Sequence, residues 1–324
     1  MPITQAEVQH FEDQGYLHLK NLLDDEQDLA ALRAEYAAVV DEAATDMAVK
    51  GIIASTYADL AFDERVGVLF EESDGAFQRY LDITLPQKGV TDDTPLHFGS
   101  AIFALMRHPK LLDVVERFIG PEIYSNPTQH VRIKPPAKRL KANTRISSEI
   151  DTTVWHQDQG TVTPDSDITN LLTVWIAVTE ATRENGCLLV APGSHKRGLA
   201  VHCHDPKADF SRQAIPDRLV GQNQVALEVE PGDVIFLNKM TMHASLPNMT
   251  DRVRWSLDLR YNPTGQPSGR GWFPGFVARS KADPSSELTD AGGWRDLWEE
   301  ARQRLIQDPP QSFQRWSAGD PGCA

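Results

Sequence analysis

Cysteine is scarce in this sequence, and the few cysteines present do not pair by their spacing. The 324 residues include three of them, Cys187, Cys203 and Cys323, an odd number with no regular interval. Small secreted domains that depend on disulfides carry many cysteines in even numbers. We therefore expect no disulfide framework and a reducing compartment, the cytoplasm.

Long hydrophobic runs and basic charge are also in short supply. No apolar stretch approaches the roughly 18 residues that a membrane span needs, and the first residues lack the basic start and apolar core of a signal peptide. The formal net charge of −14 disfavours nucleic acid and anionic membranes as partners, because polyanions bind basic surfaces. We expect a soluble protein that binds neither, and its oligomeric state stays open.

Neither an internal repeat nor a linker interrupts the chain, and we expect residues 1–324 to form one domain. Residues 1–121 carry mainly helical patterns. Residues 122–262 carry short strands between Gly and Pro turns, and residues 263–324 carry a loop followed by a helix. This order predicts a mainly β fold, an antiparallel sandwich or barrel with a helical layer on one side.

Helical patterns predict four segments in the first part of the chain. They are a helix capped by Thr4 and ended by Gly15, a long amphipathic helix from about Asp25, a short helix at 77–81, and a pair of helices over 100–119. The rest of 43–95 shows poor periodicity.

Three stretches alternate like strands, and the clearest of them is 254–261. One parity holds Arg254, Ser256, Asp258 and Arg260, and the other holds Trp255, Leu257, Leu259 and Tyr261. The stretch 126–134 places Arg132 with Lys134 in the same way, and 171–178 places Thr173 with Trp175. In a barrel the polar parity should line the cavity.

A His-x-Asp pair is the strongest candidate for chemistry. If residues 154–160 run as a strand, His156 and Asp158 project to one face and Gln157 to the other. His243, 85 residues after Asp158, is the natural third ligand. Because two histidines and one carboxylate form the facial triad of non-haem iron(II) oxygenases, we predict that these three residues are the metal ligands and the catalytic centre.

The spacing after the third ligand adds a family resemblance. Arg254 follows His243 by 11 residues, and Ser256 comes two residues later. With the His-x-Asp pair, this arrangement resembles the phytanoyl-CoA dioxygenase branch of the iron(II)/2-oxoglutarate-dependent oxygenases. The branch's other marks follow in its order over roughly 96–261: Ile133-Lys134-Pro135-Pro136, Trp175, Asn185-Gly186-Cys187-Leu188 and Pro192-Gly193-Ser194-His195.

This resemblance implies a fold and a reaction. The fold is a double-stranded β-helix, or jelly-roll, core with an N-terminal helical layer and a C-terminal extension. The cofactors are Fe(II), 2-oxoglutarate and O2, and the reaction is hydroxylation of an unactivated C–H bond in a small molecule, with release of succinate and CO2.

The resemblance also assigns a co-substrate pocket. Arg254 offers a planar, permanently charged fork for the far carboxylate of 2-oxoglutarate. Ser256 and Ser245 are candidates to add a hydroxyl. Lys134, Trp175 and Thr173 are expected in the same pocket, although Trp175 is equally well explained as an inward core aromatic.

Other functions stay open at this point. The same scaffold supports desaturation, ring formation and halogenation, but Asp158 opposes halogenation because halogenases carry a small residue there. A non-catalytic jelly-roll binding protein is the alternative of another class, and metal-dependent succinate release separates it from an enzyme. The substrate itself is not specified by the fold.

A basic segment offers one clue to the substrate. Between Arg132 and Arg145 lie Lys134, Lys138, Arg139 and Lys141, without an acidic residue. The segment is either a lid that attracts an anionic substrate or a solvated loop that pairs with the acidic surface.

Two further groups resemble sites but are expected to be structural. His202-Cys203-His204-Asp205 has no fourth ligand at a zinc spacing and predicts a solvated loop. Cys187 has no neighbouring motif that would activate a thiol.

Overall fold

The computed structural model describes residues 3–140, 152–204, 213–310, 315–317 and 319–323. The helices of this part of the chain are α1 (Gln5–Gln14), α2 (Ala30–Val49), α3 (Phe62–Glu72), α4 (Gln78–Leu81), α5 (Ser100–Met106), α6 (Pro109–Ile119), α7 (Asp217–Val220) and α8 (Ala291–Gln307). Its strands are β1 (Tyr16–Leu19), β2 (Glu122–Ser125), β3 (His130–Lys134), β4 (Leu172–Ala177), β5 (Leu188–Val190), β6 (Cys203–His204), β7 (Gln213–Ala214), β8 (Val225–Leu227), β9 (Val234–Asn238), β10 (His243–Ser245), β11 (Arg254–Pro263) and β12 (Phe276–Ser280).

The expected helices are present, with two differences. α2 begins later than Asp25, because the Asp24 carboxylate accepts backbone N–H groups of Glu26 and Gln27 and fixes a turn there. α3 was not expected; Gly67 in its middle weakens the helical pattern that the buried side chains around it would otherwise show. Within the described ranges, no helix combines the length and apolar character that a bilayer crossing requires.

Local sequence signals determine where the N-terminal helix begins and ends. Thr4 and Glu7 form a capping box at the start of α1, and Gly15 ends the helix in the left-handed region at φ 81°. The chain then enters β1 directly, so this first helix lies against the edge of the large sheet.

The large sheet has the strand order β1-β9-β4-β11-β2-β12, with β3 also paired to β11. β11 is its organising strand, because it pairs with β4 along one side and with β3 and then β2 along the other. β1 and β12 come from outside residues 122–262, so both the helical part and the C-terminal part of the chain add a strand to this sheet.

A small sheet, β10-β5-β8, faces the large one. His156 extends it through a single antiparallel bridge to His243. The expectation of a strand over 154–160 is therefore wrong beyond this bridge, and a 3-10 turn starts at Asp158. The backbone N–H of Gln157 donates to the His202 imidazole instead of to a neighbouring strand, which ends the ladder.

The two faces of the large sheet follow the expected alternation. Trp255, Leu257, Leu259 and Tyr261 lie in the apolar core under the helices. Trp175 packs from the opposite face into a second cluster between the two sheets, with Cys187, Leu188 and Leu237. The polar parity of β11 therefore faces the space between the sheets, and Cys187 is a buried structural residue as expected.

The expectation that the cysteines do not pair is wrong. Cys203 on β6 and Cys323 form a disulfide with a Cα–Cα distance of 5.3 Å, across a sequence separation of 120 residues. The C-terminal segment folds back onto this edge of the molecule, where Arg218 donates to the Gly322 carbonyl at 2.6 Å. Such a pairing is set by the fold of the tail, so it leaves no spacing signal, and the cysteine count no longer supports a reducing compartment.

Two residues of the basic segment make surface ion pairs. Lys138 pairs with Asp251, and Arg139 Nη1 lies 3.0 Å from Glu71 Oε2. These contacts favour the loop interpretation for this pair of residues. The continuation of the segment, with Lys141, lies outside the described residues.

Candidate metal centre and co-substrate pocket

The three predicted ligands come together between the two sheets. One ligand atom each of His156, Asp158 and His243 lies within 4.8 Å of the others, and His156 Nε2 is 3.9 Å from Asp158 Oδ1. The backbones of the two histidines exchange two hydrogen bonds of 3.0 Å, which places their rings side by side. A single ion fits among these three groups.

Each histidine has its tautomer fixed by a backbone carbonyl. His156 Nδ1 lies 2.8 Å from the Val154 oxygen, and His243 Nδ1 lies 2.9 Å from the Thr241 oxygen. A carbonyl oxygen only accepts, so Nδ1 carries the proton in both rings. The lone pair of Nε2 is then directed to the centre, as in metal-binding histidines.

The ionisation of the site also suits a metal. Burial, with His243 nearby, lowers the pKa of His156 to about 3, which keeps this ring neutral at pH 7. Burial alone would raise the pKa of Asp158, but the Arg260 guanidinium and the two imidazoles hold it well below its usual value. Neutral imidazole and carboxylate are the forms that bind a metal.

Asp158 is held by two side chains of the large sheet. Arg260 donates to its Oδ1 and Thr173 donates to its Oδ2. Thr173 was expected to contact the co-substrate, and in the structure its hydroxyl donates to the carboxylate of Asp158, a candidate metal ligand. From the sequence, Arg260 belongs to the polar parity of β11 and is, with Arg252, the next candidate after Arg254 for the anchor of 2-oxoglutarate.

Arg254 is buried, and its side chain makes no ion pair with a carboxylate of the described residues. It is 2% exposed, its Nη1 donates to Ser256, and its guanidinium carbon lies 5.6 Å from the centre of the Trp175 ring. Its Nε has no hydrogen-bond partner, and no carboxylate lies within 4.0 Å, among the residues that the structure describes. Burial and the nearby Arg132 lower the pKa of Arg254 to about 10, which leaves it charged at pH 7. Because an unpaired buried charge is costly, this arrangement fits an anionic ligand.

Two of the candidate metal ligands, His156 and His243, line one cavity with the expected anchor, and the third, Asp158, lies beside them. The lining of this cavity includes His156, His243, Ser245, Trp175 and Arg254, and the cavity encloses about 410 Å³ counting the space at its mouth. The cavity therefore contains both a candidate metal centre and a candidate carboxylate anchor.

Lys134 acts on this cavity through Ser245. Its ammonium donates to Ser245 Oγ at 2.9 Å and to the Leu246 carbonyl at 2.6 Å, and the Thr153 N–H also donates to Ser245. Lys134 thus connects β3 of the large sheet to the end of β10 in the small one. Its predicted contact with the co-substrate stays a prediction.

Gln157, between two of the ligands, was not identified from the sequence as functional. Its fully buried side chain donates to the carbonyls of Gly198 at 2.9 Å and Met240 at 2.7 Å, and accepts the Ala200 N–H at 2.7 Å. These contacts fasten the His-x-Asp segment to the chain that leads into His243. The only feature of the sequence that could have indicated this role is an amide side chain on the face opposite the candidate ligands.

The expectation of a solvated loop at His202 is wrong. His202 is 1% exposed, accepts the Gln157 N–H, and stacks on Trp316 with ring centres 4.7 Å apart. Its second ring nitrogen lies 2.9 Å from the Ala200 carbonyl, so both nitrogens are satisfied and burial costs little. Asp205 lies outside the described residues.

A family model described as phytanoyl-CoA dioxygenase matches residues 11–256. The chain belongs to the phytanoyl-CoA dioxygenase family. The resemblance to this family that the sequence motifs indicate is confirmed. The match also covers the N-terminal helices, where the sequence motifs were weakest.

Curated members of this family are distant relatives. The chain is 27% identical to 1-deoxypentalenic acid 11-beta-hydroxylase of Streptomyces arenae over 195 residues, 58% of this chain and 66% of that protein. It is 28% identical to a probable phytanoyl-CoA dioxygenase of Caenorhabditis elegans over 54% of this chain and 55% of that protein. Both alignments span less than two thirds of the relative. Human peroxisomal phytanoyl-CoA dioxygenase is 24% identical over 80% of this chain and 68% of its own.

Solved structures share the fold. The non-heme monooxygenase ThoJ superposes with a TM-score of 0.54 at 18% identity, over 92% of this chain and 97% of its own. EvdO2 of Micromonospora carbonacea var. aurantiaca, in complex with 2-oxoglutarate, gives a TM-score of 0.51 at 18% identity, over 89% and 98%. The expected jelly-roll fold class is confirmed.

Proposed function

We propose that this chain is an iron(II)- and 2-oxoglutarate-dependent hydroxylase of a small molecule. The observation that carries the proposal is that His156 and His243, which cluster with Asp158, line one cavity with Arg254. The buried guanidinium of Arg254 has no carboxylate partner among the described residues. A metal triad and an anion anchor together are what a co-substrate with two carboxylates needs.

The chain's own residues would divide the work. The two imidazoles and the Asp158 carboxylate would hold the metal, and Arg254 with Ser256 would receive the far carboxylate of 2-oxoglutarate. Leu188 and the Trp175 ring make the adjacent wall apolar, which limits water at the centre. Bound iron, 2-oxoglutarate and O2 would supply oxidation of an unactivated C–H bond, with release of succinate and CO2.

The names of the relatives support hydroxylation of a small acid. One is a hydroxylase of 1-deoxypentalenic acid and another a dioxygenase of phytanoyl-CoA, an acid and an acid thioester. Arg132 adds a second positive charge to the cavity lining, beside Asp258. An anionic substrate is consistent with both observations.

Succinate formation tests the proposal without knowledge of the substrate. The wild-type protein with iron(II), 2-oxoglutarate and O2 should release succinate, and His156→Ala, Asp158→Ala and His243→Ala should each abolish it while the circular dichroism spectrum stays unchanged. A screen of pooled metabolites under labelled O2 then identifies the hydroxylated product. A wild type that binds neither iron(II) nor 2-oxoglutarate would instead be a jelly-roll binding protein, and a chlorinated product would indicate halogenation.

A further inference from the structure

The carboxylate of Asp158 accepts hydrogen bonds from two residues that lie directly opposite each other in the large sheet. Arg260 on β11 and Thr173 on β4 are cross-strand partners in the antiparallel register. One donates to Oδ1 and the other to Oδ2 of the same carboxylate, and all three side chains are buried. Asp158 itself belongs to the turn that follows the bridge of the small sheet. These two contacts therefore join a candidate metal ligand, on the turn that follows the small sheet, to two strands of the large sheet.

Two such contacts matter because the orientation of an aspartate carboxylate is poorly fixed without them. The terminal torsion of an Asp side chain is broad, so a single contact leaves the carboxylate free to rotate. Two donors on different oxygens remove that freedom. Each carboxylate oxygen has two lone pairs, so an oxygen that accepts one hydrogen bond still has a pair for a metal.

We propose that Arg260 and Thr173 are positioning residues for Asp158, which fix the rotation of its carboxylate and so set the affinity of the centre for iron(II). The inference rests on the proposed metal centre. It assigns Arg260 a role distinct from Arg254, although both lie on the polar parity of β11.

The surroundings of Arg260 support this role over that of an anion anchor. Its Nη1 donates to the Thr128 carbonyl at 2.9 Å, and its Nη2 lies 3.5 Å from Asp258 Oδ2 in addition to its contact with Asp158. Two carboxylates thus already share this guanidinium, whereas Arg254 has none among the described residues. The side chain of Arg260 is 5% exposed, so both ends of the contact are held in place.

The test measures iron(II) affinity directly. Anaerobic calorimetric titration of metal-free full-length protein, without 2-oxoglutarate, should show a roughly 10- to 100-fold weaker dissociation constant for Thr173→Val and for Arg260→Gln, the range found when partners of metal ligands are removed. Thr173→Ser keeps the hydroxyl and should restore the wild-type value. The visible spectrum of the cobalt(II) form gives a second readout of the geometry at the metal.

Thr169→Val is the matched control. Thr169 is 1% exposed and its hydroxyl donates to the Pro267 carbonyl at 2.7 Å, so its loss removes a comparable buried hydrogen bond away from Asp158. A purely structural role of Thr173 would make both Val variants bind iron(II) alike, and that result would overturn the inference. Should Arg260→Gln not fold, the Thr173 pair decides the question. A wild type that binds no iron(II) would defeat the proposed function itself, which is a different result.

Discussion

Arg254 is the residue on which the co-substrate assignment can be tested most directly. Replacement by Gln removes a charge-assisted, two-pronged contact worth about 2–4 kcal/mol, so KM for 2-oxoglutarate should rise roughly 30- to 1000-fold. KM for the prime substrate should change far less. Initial rates over a range of 2-oxoglutarate concentrations give the value.

A second arginine provides the control for this experiment. Arg252 is 69% exposed at its side chain and pairs with Glu180, so Arg252→Gln should leave KM for 2-oxoglutarate as in the wild type. A normal KM in Arg254→Gln would show that the anchor lies elsewhere in the cavity.

Gln157 shows that a residue pointing away from a site can still hold it together. Gln157→Ala leaves the buried carbonyls of Gly198 and Met240 and the N–H of Ala200 without their partner. We expect a loss of about 2–5 kcal/mol in the free energy of unfolding together with weaker iron(II) binding, measured by urea titration and calorimetry.

The neighbouring amide separates the two effects. The side chain of Gln159 donates to Asp167 at 2.7 Å, in the next 3-10 turn. Its contact with the segment before His243 is made by its backbone N–H, which donates to the Lys239 carbonyl at 3.1 Å and which an Ala variant keeps. Gln159→Ala should therefore lose stability but keep its iron(II) affinity. Equal affinity in both Ala variants would remove the positioning role of Gln157.

Among single residues, the sequence identifies the candidate ligands more readily than the residues that hold them in place. His156, Asp158, His243 and Arg254 are recognisable because their residue types and spacing match a known chemistry. The roles of Thr173 and Gln157 depend on which strand lies opposite and which loop lies behind. Those relations are tertiary, so no local pattern contains them.

The long strand β11 follows its sequence pattern, whereas the three-residue strands β5 and β10 show none. The ten residues of β11 alternate without a break, so its two faces could be predicted from the sequence. β5 and β10 have three residues each, too few for a period, and exist because they pair with each other. The strand that was predicted at the His-x-Asp pair shortens to one bridge for the same reason, since its neighbours offer no further ladder.

The C-terminal helix α8 depends on one buried arginine. Arg302 is 6% exposed and its Nη1 donates to the carbonyls of Thr91, Asp92 and Thr94, the closest at 2.6 Å. Arg302→Ala leaves these carbonyls without their donor and should lower the free energy of unfolding by about 1–3 kcal/mol.

The exposed Arg304, on the same helix, is the comparison for thermal and urea unfolding. Arg304→Ala should behave as the wild type. If the two variants lose the same stability, the contacts of Arg302 with residues 91–94 do not explain the effect.

The disulfide is a property of the whole chain, because it joins β6 to the end of the described residues. A cross-link between residues 120 apart restricts the unfolded chain and typically adds about 2–5 kcal/mol to stability. A thiol reductant should therefore lower the unfolding midpoint of the wild type. Cys323→Ser should start from the lower midpoint and show no response to the reductant.

Mass spectrometry checks the premise of that prediction. Alkylation of the unreduced, unfolded wild type should modify one cysteine, the buried Cys187, and modification of all three would show that the cross-link does not form.

The fold class was accessible from the sequence through its family resemblance, whereas the disulfide between Cys203 and Cys323 was not. Cytoplasmic location stays a prediction, now without support from the cysteine count.

The backbone bridge between His156 and His243 also has a thermodynamic consequence. Its two hydrogen bonds close the loop between these residues without a metal. The entropic cost of bringing His156 and His243 together is therefore part of folding and not of metal binding. A metal ion should then bind a protein that is already folded. A redox-inert divalent ion should raise the midpoint of urea unfolding by mass action and leave the m-value unchanged. In evolutionary terms, a scaffold with this property can lose or exchange its metal ligands and still fold.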